Sequence, residues 1–359
     1  MAVIKMIVSS VLIASFIGIS TAEQSEVPIG LFDSQADVFA LPNGEIPEVP
    51  IDEGNGEEDE NAFILSTSKP LGQVAGLGID STGNLIAFHR ADREWNEDTF
   101  TKDFKLNKAL GVIPNATIAV IDPNNGKVSA EFGENLFYLP HGLTIDHEDN
   151  VWVTDVGSHQ VHKLDKNFKP VMSFGEKMMP GSDEKHFCKP TDVAVAKNGH
   201  FFVADGYCNS RVLKFDSKGN LIDIIGSEMD PFIIPHSLSL IEDLNLLCVA
   251  DRENERVQCF SAGLKEGHRS IPAGIPITSA DNIGRVFAIR ERKHFLVGVT
   301  GSDAEEAVES QVFVIDIESG KAQTFLKGIE NGHAIAISPE GTLFVAQINP
   351  NQIVSMNLN

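Results

Sequence analysis

The sequence predicts an all-β chain, a six-bladed β-propeller, on three observations. Segments of one design recur: PHGLTIDHEDNVWVTD around His141, PHSLSLIEDLNLLCVAD around His236 and GHAIAISPEGTLFVAQ around His333. Each runs through alternating apolar positions, a polar turn and a second apolar strand. Weaker copies place Ala75, Thr191 and Arg285 in the same slot, so the slots fall at 75, 141, 191, 236, 285 and 333. From the second slot onward they recur every 45–50 residues, the period of a propeller blade. No long helical periodicity interrupts them, and six copies from about residue 70 account for the rest of the chain.

Three regions are expected: residues 1–22, 23–65 and 66–359. The first reads as a secretory signal, with Lys5 before an apolar stretch at 6–19 and Ser20-Thr21-Ala22 as a small-residue cleavage site. Its apolar run is short for a membrane span and none follows, so a secreted chain without a membrane partner is expected. Residues 23–60 hold twelve acidic side chains and no Lys or Arg, a composition that buries too little apolar surface to fold. This leader carries about half of the net charge of −23, and an acidic balance argues against nucleic acid as a partner. In the propeller region, turns are marked at 80–84, 146–150, 198–199 and 339–342. The sequon Asn115-Ala116-Thr117 fits export and offers a glycosylation site. Four cysteines in an exported chain suggest two disulfides. Three pairings are open. Pairing Cys188 with Cys208 and Cys248 with Cys259 keeps each bridge inside one blade, and the repeat logic favours it.

Histidine fills every second slot. Alternate blades of a six-membered ring are about 120° apart, so His141, His236 and His333 should converge on the axis. Three imidazoles with an open fourth position are how a catalytic zinc is held. In each blade the second strand returns to the face of the slot, which brings Arg90, Arg252 and Tyr207 there. Arginine forks suit a carboxylate. A phenol flanked by cations loses its proton more readily and can act as a base. Asp155, Asp205 and Asp251 recur at the ends of these second strands and are read as structural caps of turns between blades.

The repeats resemble NHL repeats, and several motifs are more specific: FHRADREW, IDPNNGKV, NLFYLPHGLTID, VWVTDVGSHQVHKLD, MMPGSDEKHFCKPTDVAV, VADGYCNSRV, IPHSLSL and CVADRENERVQCF. Together they resemble the peptidyl-α-hydroxyglycine α-amidating lyases, strongly from about residue 70 to 300 and more weakly to the end. The resemblance implies a six-bladed propeller with zinc on His141, His236 and His333. It also implies Tyr207 as catalytic base, Arg90 and Arg252 as active-site arginines, and the same two disulfides. The implied reaction cleaves the C–N bond of a peptide ending in α-hydroxyglycine, releasing the peptide amide and glyoxylate. No copper monooxygenase sequence accompanies these motifs, so a stand-alone lyase fed by a separate copper hydroxylase is expected. The family's structural calcium would sit on the backbone carbonyls of Leu77 and Leu143, but Ala334 stands where the family has an aspartate ligand, and Asn331 where it has a methionine.

Two other classes share the ring: calcium-dependent lactonase-like propellers, and secreted NHL-type propellers that bind without catalysis. Lactonase-like sites hold calcium with Asp, Asn and Glu, whereas the slots here offer imidazoles, a set suited to zinc.

Overall fold

Each repeat folds into a four-stranded antiparallel sheet because its polar turns satisfy their own backbone. Asp80 and Asp146 each accept hydrogen bonds from amides two and four residues on, at 2.9–3.0 Å, which closes the first hairpin of blades 1 and 2. The strands they join are apolar and β-branched, as in Val151–Asp155 (VWVTD) and Leu246–Asp251 (LLCVAD), whose residues are all buried. The computed structural model describes residues 62–226, 229–264, 270–301 and 309–358; the expected signal segment and nearly all of the expected leader lie outside the described residues.

Among the described residues there are six such sheets. Their innermost strands are β2 (Val74–Ile79), β6 (Pro140–Ile145), β10 (Asp192–Val195), β14 (Pro235–Ile241), β18 (Arg285–Arg292) and β22 (Gly332–Ile337). Each packs on the next in this order, and β22 packs back on β2. Six apolar clusters fill the spaces between adjacent blades; one joins Leu77 and Ala87 of the first blade to Phe344 and Ile353 of the last. The six-bladed propeller is therefore observed, with one correction at its start. The leader was expected to reach residue 65, but β1 (Ala62–Ile64) is the outer strand of the sixth blade, pairing with Gln352–Asn357 in the register Ala62↔Met356 to Ile64↔Val354. A three-residue strand next to an acidic run has too little periodicity to be read as one.

The slots are a shared local irregularity. In blades 1, 2, 4, 5 and 6 the pairing of the first two strands shifts by a bulge, at Val74/Gly76, Pro140/Leu143, Pro235/Ser237, Val286/Ala288 and Gly332/Ala334. The extra residue of a bulge is left outside the ladder and its side chain is re-aimed. This corrects the fifth slot, which is Phe287 and not Arg285: the weak repeat was aligned two residues early. The strand-end aspartates behave as expected. Asp155 accepts the amides of Tyr138, Leu139 and Gly157 at 2.8–2.9 Å, Asp205 that of Cys188 at 2.8 Å, and Asp251 that of Ile233 at 2.7 Å. All three are fully buried.

Candidate active site

The bulges aim His141, His236 and His333 at the axis, where their ring centroids lie 4.8–5.0 Å apart and all three are buried. Each imidazole is oriented by the blade after its own. His141 Nδ1 lies 2.8 Å from the carbonyl of Thr191, His236 Nδ1 2.6 Å from that of Phe287, and His333 Nδ1 3.0 Å from that of Ala75. These carbonyls belong to the three slots that lack histidine. A carbonyl only accepts, so each Nδ1 carries the proton and each Nε2 presents a lone pair. One ligand atom from each of the three lies within 4.8 Å of the others. Burial, and then the charge of Arg90, push His141 down to about 3, and burial holds His236 and His333 well below the usual histidine range. The trio is therefore neutral at physiological pH. Close approach of backbones makes this possible: a Cβ on Gly142 would lie 2.4 Å from the Thr191 carbonyl oxygen.

Tyr207 closes the cluster. Its hydroxyl lies 2.9 Å from Nε2 of His141 and 3.1 Å from Nε2 of His236. The loop that carries it is pinned by the disulfide from Cys188 to Cys208, while Cys248 and Cys259 are bridged directly across neighbouring strands. Before it, Gly206 passes so near the next blade that a Cβ would sit 2.1 Å from the Pro235 carbonyl oxygen. The Arg252 guanidinium stands over the Tyr207 ring at 5.4 Å and over Phe287 at 4.9 Å, and its Nε bonds Glu253 at 2.7 Å. Arg90 is buried, with Nε on the Pro140 carbonyl at 3.1 Å and a terminal nitrogen on Gln73 at 3.0 Å. Burial lowers it to about 10, which leaves it charged at neutral pH.

The family model for the NHL repeat matches residues 137–164, 187–215 and 232–260, which are the second to fourth blades. A probable peptidyl-alpha-hydroxyglycine alpha-amidating lyase of Caenorhabditis elegans is 59% identical over 321 residues, covering 86% of this chain and 91% of the relative. The chain belongs to the peptidyl-α-hydroxyglycine α-amidating lyases. Alpha-amidating lyase 2 of Drosophila melanogaster is 37% identical across 93% of this chain and 83% of its own length. Peptidylglycine alpha-amidating monooxygenase of Rattus norvegicus is 40% identical across 91% of this chain, which spans 34% of that longer protein. A solved streptogramin B lyase shares the fold, with a TM-score of 0.52 and 16% identity, over 83% of this chain and 97% of that one.

Every side chain of the lyase expected at the centre is brought together there: His141, His236, His333, Tyr207, Arg90 and Arg252. Three buried, neutral imidazole nitrogens with fixed tautomers suit zinc. The calcium site does not fit its ion. Leu77 and Leu143 are fully buried and Leu143 lines the axial cavity, but Ala334 offers no side-chain carboxylate and the guanidinium of Arg290 lies 3.2 Å from the Leu143 carbonyl. Asn115 is exposed. Sequence reasoning missed Trp95, whose ring lies 4.8 Å from that of Tyr207 with the Arg90 guanidinium 5.6 Å from it, and Glu253, which bonds both Arg252 and Arg285. The tryptophan belongs to a loop peculiar to the first blade, so no repeat pointed to it.

Proposed function

We propose that this lyase is zinc-dependent, holding the ion on Nε2 of His141, His236 and His333 and cleaving peptides that end in α-hydroxyglycine. The observation that carries the reading is the trio of backbone-oriented imidazoles with the Tyr207 hydroxyl among their free nitrogens. Bound there, zinc supplies Lewis acidity toward an oxygen of the substrate. Tyr207, as the phenolate, takes the proton of the α-hydroxyl. The O–H electrons then form the carbonyl of glyoxylate, the C–N bond breaks, and its electrons go to the amide nitrogen, which takes up the proton from Tyr207. Arg90 is anchored on the Pro140 backbone carbonyl and on the Gln73 side-chain oxygen, so it supplies a fixed positive charge to the site. Arg252 is held through Nε on Glu253, which directs its terminal nitrogens to the substrate carboxylate.

The signal-like first segment and the exposed sequon support a secreted, glycosylated protein, and the relationship to the longer monooxygenases supports a separate copper hydroxylase as the source of substrate. The test is to incubate purified protein with an α-hydroxyglycine-extended peptide and measure glyoxylate before chelation, after it, and after zinc is restored. Activity should follow about one zinc per chain, and each of His141→Ala, His236→Ala and His333→Ala should lose it. Full turnover by zinc-free protein would overturn the assignment.

A further inference from the structure

Arg290 rises from β18, three residues beyond the fifth slot, and points into the channel that the ring encloses. Its first terminal nitrogen lies 3.1 Å from Oδ2 of Asp192, 3.0 Å from Oγ of Ser237, 3.2 Å from the Leu238 carbonyl and 2.8 Å from that of Ile289. Its second lies 3.2 Å from the Leu143 carbonyl. One guanidinium on the fifth blade thus reaches the fourth, third and second. Asp192 is itself buried and committed, taking Ser237 Oγ at 2.9 Å and the amide of Leu238 at 3.0 Å on the same oxygen.

We propose that Arg290 is the built-in structural cation of this channel and that the lyase needs no calcium. A divalent ion on the Leu77 and Leu143 carbonyls would meet a fixed positive charge already bonded to one of them, with no carboxylate at position 334 to offset the repulsion. The guanidinium supplies what such an ion would supply: positive charge against inward-pointing oxygens, and a bond across several blades. Its two terminal nitrogens reach a carboxylate and a carbonyl on different blades at once, a wider span than the single nitrogen of an ammonium covers. This inference does not rest on the chemistry of the histidine cluster.

The test uses the intact protein and thermal unfolding. The wild type should carry no stoichiometric calcium by elemental analysis, and millimolar calcium chloride should leave its Tm unchanged. Arg290→Ala should lower Tm by at least about 4 °C, and Arg290→Lys should recover only part of that loss. Should Arg290→Ala fail to fold, Arg290→Lys and the wild-type calcium measurements decide. Stoichiometric calcium in the wild type, a wild-type Tm that rises with added calcium, or an unchanged Tm in Arg290→Ala would each overturn the proposal.

Discussion

Tyr207 has its hydroxyl beside Nε2 of His141 and of His236 and an arginine standing over its ring. The phenyl ring packs against Trp95, so replacing the hydroxyl alone leaves the packing intact. Tyr207→Phe should therefore retain fold, disulfides and metal content while glyoxylate release falls about 10²–10⁴-fold, the range for loss of a general acid–base group. A near-normal rate in that variant would remove the tyrosine from the chemistry. At this scale the sequence was informative where a residue recurs and silent where it does not. The histidines stood out by register, Arg90 and Arg252 by sharing one position after the second strand, and Tyr207 by following one residue later on the same face. Trp95 and Arg290 occur once each, in a single-blade loop and midway along a strand. Their importance lies in contacts of long range, such as that of Arg290 with residue 143, that no local pattern records.

At the level of elements, the ring is fastened by a strand from each end of the described chain. β1 covers the outer edge of the last blade, where Gln352–Asn357 would otherwise present unpaired backbone groups. Its own residues are half-exposed to exposed, with Phe63 at 64% and Ile64 at 60%, so its contribution is mainly backbone pairing and edge protection. A chain beginning at Leu65 should unfold several degrees lower and aggregate more readily, yet keep its KM and kcat, because β1 lies at the periphery and the site at the axis. Thermal scans alongside glyoxylate kinetics would check this; a loss of turnover at temperatures where the truncated chain is folded would contradict it. The blade period was legible from the paired strands and their aspartate turns. The fifth slot was misplaced because Arg285 and Phe287 both stand near the start of a strand, and only the bulge at Val286/Ala288 distinguishes them. The three-residue β1 was hidden for the opposite reason, being too short to have a pattern.

Across the whole molecule, acid should loosen the ring through histidines remote from the cluster. Burial pushes both His89 and His159 down to about 4, and each Nδ1 accepts a backbone amide: Ala91 at 3.2 Å on His89 and Lys189 at 3.1 Å on His159. The unfolded chain protonates them near 6.5 and the folded one does not, so stability is full above about pH 6.5 and falls as the pH drops toward 4. Denaturant midpoints between pH 7.5 and 5 should decline, and His89→Asn with His159→Asn should flatten that decline by up to about 2 kcal/mol per site at pH 5. An unaltered slope in the double variant would refute it. The interlocked orientation of the histidines also bears on biosynthesis. His333 is aimed by the carbonyl of Ala75, 258 residues earlier, so the first blade must wait for the last before the third imidazole takes its place. A nascent chain with five blades made holds two aimed histidines and no complete trio. On the proposed zinc assignment, metal capture would be deferred until ring closure, and a partly synthesised or misassembled lyase would carry no competent centre with which to meet its substrate.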